Sequence, residues 1–127
     1  MLFFISSSFA EDLSRESNFK GDSYVFEAEG KFHSFKLHQK QKFYLSTHCT
    51  KKENNCLAKE ALFNKIKPKK EISLTGGVNL GTVLCVNYLS GNLLTMKNKN
   101  GHHVAVCEFS DKSKISTGIL EKLLIDQ

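Results

Sequence analysis

The chain is short of proline and arginine, and it lacks long apolar runs. Its 127 residues include one proline, Pro68, and eight glycines, which excludes collagen-like and proline-rich linker sequences. No stretch approaches the roughly 20 apolar residues that a membrane-spanning helix needs. Charged residues make up 24% of the chain and hydrophobic residues 40%. This balance predicts a folded globular domain rather than a disordered or membrane-embedded chain.

The first ten residues, MLFFISSSFA, carry no charge and resemble the end of a signal peptide. Ser8 and Ala10 are small residues at the positions that signal peptidase accepts before a cut at Glu11. The basic segment that opens a signal peptide is missing, so we interpret residues 1–10 as a truncated one, and residues 11–22 as a polar leader. The alternative is an apolar N-terminus or a strand packed into the fold. The first interpretation predicts a periplasmic or secreted protein.

Four cysteines support export, because an even number in a small domain is typical of disulfides formed in an oxidising compartment. They are Cys49, Cys56, Cys85 and Cys107. Three pairings are open from the sequence, and joining neighbours, Cys49 to Cys56 and Cys85 to Cys107, would close one short loop. A metal site is the alternative because His48 precedes Cys49, but six residues separate Cys49 from Cys56, more than zinc knuckles use. We therefore predict two disulfides, no metal site and no cofactor.

Residues 23–75 are predicted to form a basic, β-rich subdomain. Apolar residues alternate with polar ones, which predicts antiparallel strands over 23–28, 31–38 and 42–48 with one solvated face. Residues 57–66, LAKEALFNKI, favour a helix that ends before Pro68.

Residues 76–127 are predicted to form a helix–hairpin–helix subdomain. Asn79 suits the N-cap of a helix that ends at Gly91, and the run from Asn98 to Gly101 predicts a hairpin turn between two strands. A short helix is expected over 118–125. The predicted fold class is α+β: a small antiparallel sheet with two or three short helices, stapled by disulfides. The predicted core contains Tyr24, Phe26, Phe35, Leu37, Phe43, Leu45, Leu80, Leu84, Val104, Val106, Leu120 and Leu123.

Charge is distributed unevenly along the chain. Residues 31–70 hold eleven lysines and two acids, a local balance of +9, whereas the whole chain is +5. This window predicts a basic binding face for an anionic envelope or extracellular partner, or else a solvated surface. Nucleic acid is not expected as a partner, because the window has no arginine for bidentate phosphate or base recognition. The lysines of the predicted face are Lys36, Lys40, Lys42, Lys51 and Lys52.

Sequence motifs for catalysis are absent. The chain has no nucleophile elbow, phosphate loop or zinc-protease helix, and its five histidines show no metal-ligand spacing. We therefore predict no catalytic residues, with an active site assembled by the fold from distant residues as the alternative.

One segment carries a family pattern, residues 78–116. It has Asn79, then Val83-Leu84-Cys85, a glycine at Gly91, a turn glycine at Gly101, then Val106-Cys107-Glu108-Phe109 and Asp111-Lys112-Ser113. This arrangement resembles the small bacterial "domain of unknown function 333" family, whose members are often labelled haemolysins. The family pattern runs Asn-Pro-Ala-Ser-x-x-Cys, a double glycine, a hairpin with a second Cys, then Pro-Asp-Gly-Ser-x-Cys.

The resemblance implies an exported envelope or secreted domain in which Cys85 pairs with Cys107. The chain departs from the pattern at several points: Leu80-Gly81 replaces Pro-Ala, Ser90-Gly91 replaces the double glycine, and Ile115 stands where a third Cys is expected. The resemblance does not imply an enzymatic activity.

The sequence thus favours an exported, non-catalytic binding domain of unknown ligand. One alternative is a membrane-active, haemolysin-like basic protein that contacts the membrane surface through its lysines. Another is a module like the small protease inhibitors, which would present the hairpin around Asn100-Gly101.

Overall fold

The computed structural model describes residues 5–64 and 79–124. The helices are α1 (Ile5–Ser14), α2 (Leu57–Ala61) and α3 (Leu80–Val83), and α3 continues as a π turn over Leu84–Tyr88. The strands are β1 (Tyr24–Ala28), β2 (Lys31–Leu37), β3 (Tyr44–Ser46), β4 (Asn92–Lys97), β5 (His103–Glu108) and β6 (Lys114–Ser116). Short 3-10 turns cover Glu16–Phe19, Thr47–Thr50 and Thr117–Leu123.

The six strands close into one antiparallel barrel in the order β1-β2-β3-β6-β5-β4. The predicted α+β class is therefore wrong: the protein is mostly β, with a few short helices. The barrel is closed by pairings between distant parts of the chain, β1 with β4 and β3 with β6, which local patterns do not encode. Residues 23–75 and 76–127, predicted as two subdomains, supply three strands each to this single barrel.

The first three strands follow the predicted alternation. In β1, Phe26 and Ala28 point inward while Glu27 lies on the outer face. Glu29 and Gly30 both adopt positive φ, 54° and 76°, and join β1 to β2 in a two-residue turn. Such turns match the twist of paired strands. The predicted third strand, 42–48, shortens to β3 because residues from Thr47 onward enter a 3-10 turn.

The second three strands begin with the predicted hairpin. β4 pairs with β5 from Asn92↔Glu108 to Lys97↔His103, on either side of the Asn98–Gly101 turn. β6 was not predicted: three residues are too few to show a period of two. The expected helix over 118–125 is instead the 3-10 turn Thr117–Leu123, and residue 125 lies outside the described ranges.

The two sets of strands are related by an approximate two-fold repeat. Both pairings that join them, Glu27↔Lys97 and Leu45↔Ile115, connect residues 70 positions apart. The same spacing relates the sequences Leu45-Ser46-Thr47 and Ile115-Ser116-Thr117. It also relates two residues with positive φ, Lys42 (56°) and Lys112 (73°). The barrel therefore consists of two similar three-stranded units.

Two buried serines join β3 to β6. Ser116 Oγ accepts a hydrogen bond from the backbone N–H of Tyr44 at 2.7 Å, and Ser46 Oγ accepts one from Lys114 N–H at 2.9 Å. Ser116 Oγ also donates to the Tyr44 carbonyl oxygen at 3.3 Å, and Ser46 Oγ donates to the Lys114 carbonyl oxygen at 3.4 Å. We call each pairing between the two units, β3 with β6 and β1 with β4, a seam. These hydroxyls satisfy the facing backbone groups where the strands are too short for a full ladder.

The core has two parts. The barrel interior holds the smaller cluster, Phe26, Ala28, Phe35, Met96 and Val106. The larger cluster lies where the helices and 3-10 turns pack against the barrel, and residues from both units contribute to it, including Leu13, Phe43, Leu45, Leu84, Ile115 and Leu120. Most predicted core residues lie in these clusters. Tyr24 is the clear exception, at 41% exposed.

The predicted helices are shorter in the structure, and α3 with its π turn ends at Tyr88 rather than at Gly91. The expected helix over 57–66 is α2, which ends at Ala61, and residues 65 and 66 lie outside the described ranges. Asn79 is the N-cap of α3, as predicted, and its Oδ1 accepts the Thr82 N–H at 3.2 Å. α1 continues across the predicted cut between Ala10 and Glu11, and cleavage there stays a prediction.

Candidate functional site

An open groove of about 830 Å³ lies between β1 and the loop that joins β4 to β5. Ser23 and β1 residues 24–27 line one side, and Lys97 at the end of β4 lines the other together with loop residues 98–102. Phe32 of β2 and Tyr44 of β3 complete the lining. This volume lies in the range of pockets that take small ligands or short peptide segments.

The groove exists because β1 and β4 pair at one position only, near the end of each strand. Glu27↔Lys97 is their one paired position, and beyond Lys97 the chain turns into the loop rather than running on beside β1. Residues of β1 before Glu27 therefore have β2 on one side and the groove on the other.

The backbone of Val25 faces this groove. Along an antiparallel strand, residues alternate between those whose backbone N–H and C=O form hydrogen bonds to a given neighbouring strand and those whose N–H and C=O point away from it. Ala28 and Lys31 flank the two-residue turn and form a backbone hydrogen-bonded pair. The backbone groups of Phe26 and Tyr24, at alternate positions, therefore also form hydrogen bonds to β2. Val25, between them, directs its N–H and C=O away from β2.

Aromatic rings form one wall of the groove. Tyr44 stands edge-to-face with Tyr24 at 5.5 Å and with Phe26 at 5.1 Å, and Phe26 packs on Phe35 at 5.7 Å between ring centroids. Burial, with a smaller contribution from Tyr24, raises the pKa of Tyr44, so its phenol stays neutral at physiological pH. Edge-to-face packing of this kind holds the rings in fixed orientations.

Three large apolar side chains at the groove face solvent. Phe32 is 73% exposed, Val25 53% and Tyr24 41%. Exposed apolar side chains that line a concave surface are typical of interaction sites.

The loop on the other wall is ordered by its own hydrogen bonds and carries positive charge. Asn98 Oδ1 accepts the N–H groups of Asn100 at 3.0 Å and His102 at 2.9 Å. Lys97 and Lys99 are exposed, and neither forms an ion pair with an acid among residues 5–64 and 79–124. Among the described residues of the lining Glu27 is the only acid, so their side chains carry a positive balance.

The five lysines predicted as a basic face lie elsewhere, and none of them lines the groove. Lys36 Nζ donates to the Gly21 carbonyl at 2.7 Å, and Lys40 pairs with Asp12 at 3.5 Å. Lys42 occupies the left-handed turn before β3. Lys51 and Lys52 follow the 3-10 turn Thr47–Thr50, with the backbone N–H of Lys52 bonded to Glu16 at 2.8 Å. The structure spreads these residues over β2 and two loops.

The cysteines form two disulfides, Cys49–Cys56 and Cys85–Cys107, with Cα separations of 5.9 and 5.7 Å. In the described part of the chain, one cluster has metal-ligand geometry: His48, Cys49 and Cys56. Within it, His48 Nε2 lies 3.6 Å from Cys49 Sγ. Because both sulfurs are joined to each other, they are not available as thiolate ligands.

Sequence reasoning did not place Val25, Phe32, Lys97 and Lys99 at one groove. The available signals were the hairpin turn and the exposed face of the alternating strands. What the sequence could not provide is the break in pairing between β1 and β4 that brings these residues together.

Comparison with known proteins adds no relative: no protein-family model, curated protein or solved structure matches the chain. The resemblance over residues 78–116 therefore stays a prediction. The two disulfides fit an extracellular or periplasmic protein. Within residues 5–64 and 79–124, no helix is long and apolar enough to span a membrane.

Proposed function

We propose that the protein is an exported, non-catalytic binding module and that its ligand occupies the groove beside β1. The observation that carries the proposal is the cluster of exposed apolar side chains there: Phe32, Val25 and Tyr24. Their apolar surface would be removed from water when a ligand binds, which favours association.

The groove is also pre-organised. Its aromatic wall is packed into the barrel, and its loop is held by Asn98. A surface that is already ordered loses little conformational entropy on binding, so more of the contact energy appears as affinity.

The exported location supports the same proposal. The signal-like N-terminus and the two disulfides favour the bacterial envelope or the extracellular space. A small, stapled domain in that environment is suited to recognition of another molecule.

Anilinonaphthalene sulfonate, an apolar and anionic fluorescent dye, tests whether the groove binds ligands. We expect saturable fluorescence enhancement for the protein and about tenfold weaker affinity for Phe32→Ser, which removes the most exposed aromatic ring. Phe63→Ser is the matched control, because Phe63 is 48% exposed and lies outside the groove. Equal effects of the two substitutions, or no effect of Phe32→Ser, would show that the groove is not the binding surface.

A further inference from the structure

We infer that the ligand of the groove is an extended acidic peptide with alternating apolar side chains, which pairs with β1 as an added strand. This inference rests on the proposed function and specifies the ligand class. It follows from the open edge of β1, the apolar side chains beside that edge and the charge of the facing loop.

The first argument is the open edge. Val25 directs its N–H and C=O toward the groove, and β4 pairs with β1 only at Glu27. Strand edges that lack a partner are templates for pairing with another chain. A peptide alongside Val25 would form the main-chain hydrogen bonds that β4 provides at Glu27.

The second argument is the spacing of the apolar side chains. Successive side chains of an added strand point to opposite faces of the sheet. One set of the peptide's side chains would lie beside Val25 on the outer face of the sheet, where a long side chain could also contact Phe32. The alternate set would contact Tyr24 at the rim of the barrel. The apolar set of an alternating peptide would therefore contact exposed apolar surface on whichever face of the added strand it lies.

The third argument is charge. Lys97 at the end of β4 and Lys99 on the loop outnumber Glu27, and the whole chain carries +5. A second copy of the chain at this edge would bring like charges together. An acidic peptide instead complements the lysines and gains from their attraction.

Synthetic peptides of seven residues test the inference. The parent peptide alternates valine or tyrosine with aspartate. A second peptide has the same sequence but is N-methylated at alternate backbone nitrogens. A third peptide has lysine in place of each aspartate. By titration calorimetry we expect the parent to bind, the N-methylated peptide to bind at least tenfold more weakly, and the lysine peptide to show no saturable binding. Parent affinity should fall as salt rises.

Two substitutions at Val25 examine the hydrogen bonds from the protein's side. Val25→Pro removes the N–H that faces the groove but leaves the β1–β2 bonds, since proline is tolerated where the N–H points away from the sheet. Val25→Thr keeps the N–H and the branched shape. We expect Val25→Pro to weaken parent-peptide binding about tenfold relative to Val25→Thr, with both variants checked for cooperative melting.

Lys99→Glu examines the charge. It should weaken the parent peptide at low salt, whereas Lys122→Glu, an exposed lysine outside the groove, should not.

The outcomes separate the two proposals. If the dye binds in the groove but the parent and N-methylated peptides bind equally, or neither binds, the added-strand inference is wrong and the binding function stands. If the lysine peptide binds as tightly as the parent, the acidic class is wrong. If Phe32→Ser affects neither dye nor peptide, the proposed function itself fails.

Discussion

His38 is buried in an arrangement that requires its neutral form. Its Nδ1 accepts the backbone N–H groups of Lys40 at 3.2 Å and Gln41 at 3.0 Å, and its Nε2 lies 3.3 Å from the Asp12 carbonyl oxygen. The ring also stacks on Phe43 at 4.9 Å between centroids. An acceptor nitrogen with two donors cannot itself carry a proton, so the tautomer with hydrogen on Nε2 fits these contacts.

This environment predicts that stability falls in mild acid. Burial lowers the pKa of His38, against the smaller opposing effect of the Asp12 carbonyl. The unfolded chain therefore binds the proton more readily. The free energy of unfolding should be highest above about pH 6.5 and decline below it, by at most about 1.4 kcal/mol per pH unit for one proton. Urea unfolding of the protein and of His38→Asn between pH 8 and 5 measures the effect.

His38→Asn keeps an acceptor near the two N–H groups but does not titrate, so its stability should depend less on pH than that of the parent. Burial also lowers the pKa of His33, and Lys114 lowers it further, so His33→Asn is the second variant to compare. An unchanged pH slope in His38→Asn would contradict the assignment.

Individual residues could be predicted where the reason is local. Asn79 was recognised as a cap, and Phe35 and Val106 as core, because a turn or an alternating strand determines their role. His38 and the seam serines, Ser46 and Ser116, were missed, because their burial depends on segments far away in the chain. Tyr24 was placed in the core by the same alternation, but its side chain lies at the open rim of the groove.

At the scale of the elements, the two disulfides stabilise different amounts of structure. Cys49–Cys56 spans 7 residues within one loop, whereas Cys85–Cys107 spans 22 and connects the π turn after α3 to β5. Gly91 packs directly against Cys107 Sγ and Cys85 Sγ, where any side chain would collide with the sulfurs. The second disulfide therefore lies within a tightly packed part of the core.

Removing the second disulfide should cost more than removing the first. The chain-entropy relation gives a difference of about 1 kcal/mol for these loop lengths. Both disulfides are buried, so the other feature that sets the second apart is the close packing of Gly91 against its sulfurs. We expect the double substitution Cys85→Ala with Cys107→Ala to lower the melting temperature more than Cys49→Ala with Cys56→Ala. Calorimetry at one pH makes the comparison, and an equal or reversed order would contradict it.

Among the elements, the hairpins were predictable and the closure was not. The alternation before Glu29-Gly30 and the turn at Asn98–Gly101 each identify two neighbouring strands. β3 and β6 have three residues each and pair with each other only at Leu45↔Ile115. The sequence does not indicate that pairing. The predicted strands are therefore interpreted as separate sheets with helices beside them, and this is why the predicted α+β class is wrong.

For the whole molecule, the approximate two-fold repeat means that each unit completes the other. The segment predicted to resemble a family, in its described part 79–116, lies in the second unit and ends with β6. Neither disulfide crosses between the units, so within the described structure their association depends on the two strand seams, the shared core, and the hydrogen bonds that the Leu57 and Ala58 N–H groups donate to Asp111 and Ser113.

The units should therefore not fold separately. Residues 1–64 and 79–127, produced and oxidised as two fragments, would each expose the surface that Leu45 or Ile115 buries in the seam. Domains of this size are only marginally stable even with a complete core, and each fragment would lack half of the barrel. Each fragment alone should lack cooperative melting by circular dichroism, and an equimolar mixture should regain near-ultraviolet signal from Tyr24, Tyr44 and Tyr88. Cooperative melting of either fragment by itself would show that the barrel is not the folding unit.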